Sequence, residues 1–173
     1  GGEGQKSLDV LKNPPQHSGE AGRHISWRPC PPPSALAEAL AHLIIQGYSS
    51  YLKADSPDEA FRLFNQFRIL CALRRGPYGV AEVNALAERV LRRIGLIRPY
   101  GQWHQGQPIM ITRNDYQLEF FNGDVGLILP DPAANGDLRA FFPTSDGTMR
   151  KMLPGRLPEY ETVYAMTVHK SQG

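Results

Sequence analysis

Three glycine-centred dipeptides, Asn122-Gly123, Asn135-Gly136 and Asp146-Gly147, restrict the fold of this chain more than any other feature. They fall around short apolar runs at residues 107–112, 124–129, 138–142 and 148–153. Asn-Gly and Asp-Gly turn readily because both residues tolerate positive φ, and Asp-Gly between two such runs predicts a hairpin. Four or five short strands within about 50 residues describe a small antiparallel barrel.

Upstream the periodicity is different. Ser34 is positioned to cap a helix to about residue 46, with Leu36, Leu40, Leu43 and Ile44 on one face and Gly47 as the stop. Ser56-Pro57-Asp58-Glu59 is a capping box with proline in the first turn, leading an apolar face of Ala60, Phe61, Phe64 and Phe67. Residues 68–73 suit a buried strand. The turn Arg74-Arg75-Gly76-Pro77-Tyr78-Gly79 follows, then a helix over 80–94 with Val80, Val83, Ala87, Val90, Leu91 and Ile94 on one stripe. Strand, turn, helix is the α/β unit of a parallel sheet. The apolar run 162–168 returns the chain to that sheet. The expected fold class is therefore α/β, with the barrel as an insertion. Asn84, close to the apolar stripe, is expected to satisfy a backbone group.

Composition narrows the function. Lys and Arg number 19 against 17 Asp and Glu, for a net charge of +2 and a pI of about 8.6, so bulk charge does not coat nucleic acid and any contact must come from placed residues. Gly 17 and Pro 15 indicate many turns. The longest apolar run, 40–45, is too short to span a membrane, and the start GGEGQKSLDV lacks the pattern of a signal peptide. Cys30 and Cys71 have no ligand-like spacing, and neither do His104 and the other scattered histidines, so no metal site is expected. The cysteines read as reduced thiols of a cytoplasmic protein. Residues 1–33, rich in Gly, Pro, Ser and His, read as a linker with short extended pieces at 8–11 and 24–28. The chain lacks an initiator Met and stops directly after a strand-like run, which leads to the expectation of a piece of a larger protein.

The last ten residues, Tyr164-Ala165-Met166-Thr167-Val168-His169-Lys170-Ser171-Gln172-Gly173, place hydroxyls, a cation and a glycine after a buried strand. That pattern suits phosphate at the C-terminal edge of a parallel strand, and an ordinary polar loop accounts for it equally. The stretch T-V-H-K-S-Q-G resembles motif V of superfamily 1 DNA helicases of the 5′-to-3′ branch, and within it the RecD family, the alpha subunit of exodeoxyribonuclease V. Residues 67–84, 106–126 and 156–161 resemble further stretches of that family, in its order and spacing. The resemblance implies a RecA-like second motor domain over residues 34–104, an SH3-like barrel insertion over 105–158, and a return strand with motif V over 159–173. It also implies ATP and Mg²⁺ in the parent protein, single-stranded DNA as track, and RecB-like and RecC-like partners. The chain contains no G-x-x-x-x-G-K-[ST], so no catalytic residue is expected within it and none for ATP hydrolysis on its own.

By the same resemblance Thr167, His169 and Lys170 face the DNA backbone, while Lys170, Ser171, Gln172 and Gly173 lie on the path that couples it to nucleotide. Neutral hydroxyl and imidazole donors position a strand without reading its sequence. A general base is a rival role for His169, without a nucleophile in sight. Arg113 and Asn114, with Asp115, read either as Asn/Asp turn chemistry or as a DNA-channel lining; Asn122-Gly123-Asp124 reads as a turn. Arg74 and Arg75 are either phosphate contacts or solvated residues at a strand end. Trp103, Tyr116, Phe120 and Phe121 are barrel core or base-stacking surfaces. A stand-alone or relaxase-linked helicase of the same branch, and a non-catalytic nucleic-acid or protein-binding module, are the alternatives.

Overall fold

In a computed structural model that describes residues 28–172, helix α1 (Leu36–Leu52) is longer than its sequence predicts. Ser34 lies in a 3-10 turn (Pro33–Ala35), and Ala35 occupies the N-cap without a side-chain hydrogen bond. The helix also runs through Gly47. A Cβ there would stand 2.1 Å from the Phe67 ring, so the glycine is a packing notch rather than a stop. Beyond it Tyr48 and Tyr51 are buried, which gives the last turn and a half its apolar face. Leu43, expected on that face, is exposed. Gly47→Ala should therefore destabilise the protein by about 1–3 kcal/mol in urea unfolding through overpacking, although helix propensity alone favours alanine by about 1 kcal/mol. A stabilised variant would refute the notch.

Helix α2 (Pro57–Phe64) starts as expected. The Ser56 Oγ accepts from the Glu59 N–H at 3.3 Å, and Ala60, Phe61 and Phe64 are buried. Strand β1 (Ile69–Cys71) follows, then the turn containing Gly76, and helix α3 (Val80–Arg93). Glu82 in its first turn and Arg92 and Arg93 in its last complement the helix dipole. Its stripe buries Val83, Leu86, Ala87, Val90 and Leu91, and leaves Ile94 exposed.

Strands β2 (Pro99–Tyr100) and β3 (Trp103–His104) form a minimal hairpin. A five-stranded antiparallel sheet then comprises β4 (Gln107–Ile111), β5 (Val125–Pro130), β6 (Leu138–Pro143), β7 (Met149–Met152) and β8 (Tyr160–Thr162), in the order β7-β6-β5-β4-β8. No ladder joins β7 to β8, so this is an open sheet and a closed barrel is not formed. Each face is covered. Leu127, Leu129 and Phe141 join the core of the three helices, while Ile109, Ile111, Ile128, Ala140 and Phe142 pack with Phe120 on the other. All three dipeptides mark turns, with Gly123, Gly136 and Gly147 at positive φ.

The expected return strand 162–168 is divided. Its start belongs to β8, and its end is β9 (Ala165–Thr167), parallel to β1 with Ala165 opposite Ile69 and Thr167 opposite Cys71. Val163 and Tyr164 carry the chain between the sheets. The Val163 N–H donates to the Pro108 carbonyl at 2.9 Å, and the Tyr48 hydroxyl donates to the Tyr164 carbonyl. Tyr48, Tyr51, Phe64, Phe67 and Tyr164 meet mostly edge to face, with centroids 5.0–6.1 Å apart. This aromatic cluster fixes where β9 delivers the last residues of the chain.

Residues 28–32 have no helix or strand, and Cys30 is exposed. The piece expected at 8–11 and all of 24–28 except Arg28 lie outside the described residues.

Candidate nucleic-acid interface

Two parallel strands end side by side, and their C-terminal ends open onto a cleft of about 640 Å³. Arg74 and Arg75 come from the turn after β1, Thr167 from the last position of β9, and Lys170 from the 3-10 turn that follows (Val168–Gln172). Helix α3 supplies the opposite wall with Asn84 and Glu88, and β8 supplies Glu161 and Thr162. Arg74, Arg75, Thr167 and Lys170, all singled out in the sequence, thus meet in one cleft from two separate segments.

Asn84 sets the position of β9. Its Oδ1 accepts from the Ala165 N–H at 2.8 Å and its Nδ2 donates to the Ala165 carbonyl at 3.1 Å. A side-chain amide thus pairs with the strand as a neighbouring strand would, on the side of β9 away from β1. This is the backbone satisfaction expected of Asn84.

The charges are mixed. Lys170 Nζ lies 3.6 Å from Glu161 Oε1, a partly exposed pair. Burial raises the pKa of the Glu88 carboxyl, an effect that Arg92 opposes. Arg74 and Arg75 are exposed and make no ion pair among the described residues. Three cations thus face two carboxylates, and the two arginines are the ones free to receive an anion.

The remaining residues are elsewhere. His169 and Ser171 are exposed and do not line the cleft; the Ser171 hydroxyl donates to the Val168 carbonyl at 2.7 Å. Gln172 ends the 3-10 turn, and Gly173 lies outside the described residues. Arg113 and Asn114 follow β4 on the loop 112–124. Asn114 is engaged there: its Oδ1 accepts from the Asn122 N–H at 2.8 Å and its Nδ2 donates to the Tyr116 hydroxyl at 3.2 Å. Asp115 Oδ1 accepts from the N–H groups of Gln117 and Leu118, so turn chemistry accounts for both residues. Arg113 is exposed and outside the cleft. Among the aromatics, Phe120 is core under the Arg150 guanidinium, Trp103 is half-buried against Tyr160, and Tyr116 and Phe121 are exposed.

Sequence reasoning missed Glu161 and Glu88, because the alignment of β8 and α3 with the cleft has no local signature. It also missed His104. This side chain is buried, with Nε2 2.9 Å from the Tyr164 hydroxyl, and the backbone N–H of His104 donates to Gln107 Oε1 at 3.3 Å. Gln107 in turn donates to the Thr162 hydroxyl at 3.1 Å, a partly buried bond at the cleft wall. Desolvation, helped by nearby Arg92, lowers the His104 pKa to about 4.

Among the described residues no helix is long and apolar enough to cross a membrane, and no three His, Cys, Asp or Glu side chains are placed to hold a metal ion.

No protein-family model matches the chain. It is 36% identical over 152 residues to the RecBCD enzyme subunit RecD of Mycolicibacterium smegmatis, covering 88% of this chain and 26% of that protein. It is 40% identical over 112 residues to the RecBCD enzyme subunit RecD of Haemophilus influenzae, covering 64% and 16%. It is also 30% identical over 108 residues to the ATP-dependent RecD2 DNA helicase of Deinococcus radiodurans, covering 61% and 14%. The chain therefore spans about a quarter or less of the length of these relatives, and it matches their C-terminal part. A chain of mixed α/β structure with such relatives belongs to the RecD family.

Proposed function

We propose that this chain is part of the second motor domain of an ATP-dependent DNA helicase subunit of the RecBCD type, and that its cleft grips the backbone of single-stranded DNA. The observation that carries the reading is the meeting of Arg74, Arg75, Thr167 and Lys170 at the ends of β1 and β9 in a chain with RecD relatives. In open α/β sheets ligands sit outside the carboxyl ends of the strands. On this reading the helices with β1 and β9 belong to the RecA-like part (34–104 and 159–173), and strands β4 to β7 form the SH3-like insertion (105–158), edged by β8 from the returning segment. RecB-like and RecC-like subunits are the partners, and the location is cytoplasmic.

Each residue then has a physical task. The guanidinium groups of Arg74 and Arg75 neutralise successive phosphates. The Thr167 hydroxyl donates to a phosphate oxygen without adding charge. Glu161 holds Lys170 at the cleft edge, where a phosphate can compete for the ammonium. Several modest contacts suit a motor, which must release its track at each step. The exposed His169 and Arg113 contact the strand outside the cleft, with Asn114 closing the loop that carries Arg113, and Ser171, Gln172 and Gly173 lead toward the nucleotide. ATP with Mg²⁺ supplies the free energy of domain closure in the parent, and no step of hydrolysis is assigned to residues of this chain.

The test is ATP turnover by the full-length parent with its partners, with and without single-stranded DNA, at two salt concentrations. Stimulation that fades as salt rises is expected. Lys170→Ala should lower DNA-stimulated turnover about tenfold, equivalent to about 1.4 kcal/mol, and leave turnover without DNA little changed. Unchanged stimulation in that variant would refute the role of Lys170. A second reading, a helicase acting without RecB-like and RecC-like partners, is favoured by the Deinococcus radiodurans relative, named as a helicase rather than as a subunit. Purification of the active parent alone would select it.

A further inference from the structure

Strand β8 belongs to the antiparallel sheet by its backbone and to the cleft by its side chains. It pairs with β4, with Glu161 opposite Met110, and Glu161 and Thr162 line the cleft beside Arg74, Arg75, Thr167 and Lys170. Bonds on either side of Glu161 fix the strand. The Thr112 N–H donates to the Glu159 carbonyl at 2.9 Å, and the Val163 N–H to the Pro108 carbonyl at 2.9 Å. Gln107 donates to the Thr162 hydroxyl at 3.1 Å. Lys170 is held less firmly, because its ammonium ends a flexible stem on the 3-10 turn after β9.

The contact between the two charges is loose. Lys170 Nζ stands 3.6 Å from Glu161 Oε1, beyond the ~2.7–2.9 Å of a charge-assisted hydrogen bond, so charge attraction alone joins them. Both side chains are partly exposed, so the pair is open to exchange with an anion from outside. The pairing is also selective. Arg74 and Arg75 make no ion pair among the described residues, and neither does Glu88, the second carboxylate of the cleft. A carboxylate on a fixed strand therefore stands against one of three cations, the one on the most adaptable side chain.

We propose that Glu161 is a release residue: its carboxylate competes with DNA phosphate for the Lys170 ammonium and so weakens the grip of the cleft on single-stranded DNA. The inference rests on the function proposed above and adds to it the residue that limits the grip. When a phosphate leaves, Lys170 returns to Glu161 and its charge is countered at once. The β4–β8 ladder sets where that competitor stands. A residue that merely supported Lys170 would have the opposite effect, since its loss would weaken binding.

The experiment uses the full-length parent with its partners and a fluorescently labelled oligo-dT of about twenty nucleotides, read by anisotropy at several salt concentrations without nucleotide. Glu161→Gln keeps the shape of the side chain and removes its charge. It should tighten binding about threefold at low salt, the scale of a partly exposed ion pair, and slow dissociation by a similar factor. Its salt slope should be steeper by up to about 1, because the freed carboxylate of the parent takes up a cation on binding and glutamine takes up none. Glu161→Ala should give the same gain. The strand is held by backbone bonds at this residue, so thermal unfolding of both variants should match the parent. In a Lys170→Ala background Glu161→Gln should change affinity by less than about 1.5-fold. A threefold gain that persists there would overturn the proposal, as plain repulsion of the strand by the carboxylate. Weaker binding by Glu161→Gln would overturn it too and leave Glu161 as a support for Lys170. Unchanged affinity and slope also overturn it. If Lys170→Ala then still lowers DNA-stimulated turnover, the cleft stands without a release residue; if neither variant alters binding or turnover, both fail together.

Discussion

Asn84→Ala should destabilise the protein by about 3–5 kcal/mol, because it strands two buried backbone groups at once. The Ala165 N–H and carbonyl both end on this amide, and Ala165 is fully buried. Each group left without a partner in the interior costs about 1–3 kcal/mol, more than an ordinary hydrogen bond contributes. Asn84→Asp is the sharper variant. It keeps an acceptor for the Ala165 N–H but turns a carboxylate toward the Ala165 carbonyl, so it should be at least as damaging near neutral pH. Urea unfolding measures both, and hydrogen exchange at the Ala165 amide locates the effect. A midpoint shift worth less than about 0.5 kcal/mol would remove Asn84 as the cap of β9. The consequence for function follows from the register: Thr167 is two residues beyond Ala165, so a loosened β9 no longer fixes its hydroxyl over the cleft.

Lowering the pH from 7 to 4 should remove about 3 kcal/mol of folding stability through His104 alone. The folded pKa is held at about 4 by desolvation and by Arg92, below the ordinary value of 6.5. Between those values the unfolded chain takes up a proton that the folded protein refuses. Stability from this group is therefore full above pH 6.5, falls as pH drops, and levels off below about 4. His104→Gln, which keeps a polar group near the Tyr164 hydroxyl, should flatten that window. Carboxylates such as Asp146, held at about 2 by hydrogen bonds from Thr144 and Thr148, lose their contribution only at lower pH. Denaturation midpoints of the two proteins from pH 7 to 4 make the comparison, and parallel curves would show that His104 does not titrate as its burial requires.

Much of the local structure was legible from residue types. The capping box at Ser56, the stripe of α3 and the three glycine turns depend on neighbours within a few positions, where backbone sterics and periodicity act directly. Gly47 misled for the same reason: a glycine at a helix end is a stop signal locally, and only the Phe67 ring, twenty residues on, makes it a notch. The split of 162–168 was equally invisible, since an apolar β-branched run has the same pattern whether it serves one sheet or two.

For the site, the sequence by itself determined the residue types: hydroxyl and cation after β9, arginines after β1, and an amide on α3 beside the apolar stripe. Tertiary structure alone decided which of them meet. Arg74, Arg75, Thr167 and Lys170 converge because β1 and β9 pair in parallel, whereas Arg113 and Asn114 stay on a loop closed by its own hydrogen bonds. It also placed Glu161 against Lys170 and buried His104 against Tyr164, pairings of residues 9 and 60 positions apart. The reason is physical. Turn and helix signals are short-range and survive in the linear order of side chains, while charge pairing and desolvation depend on distances that exist only once the strands have been brought together.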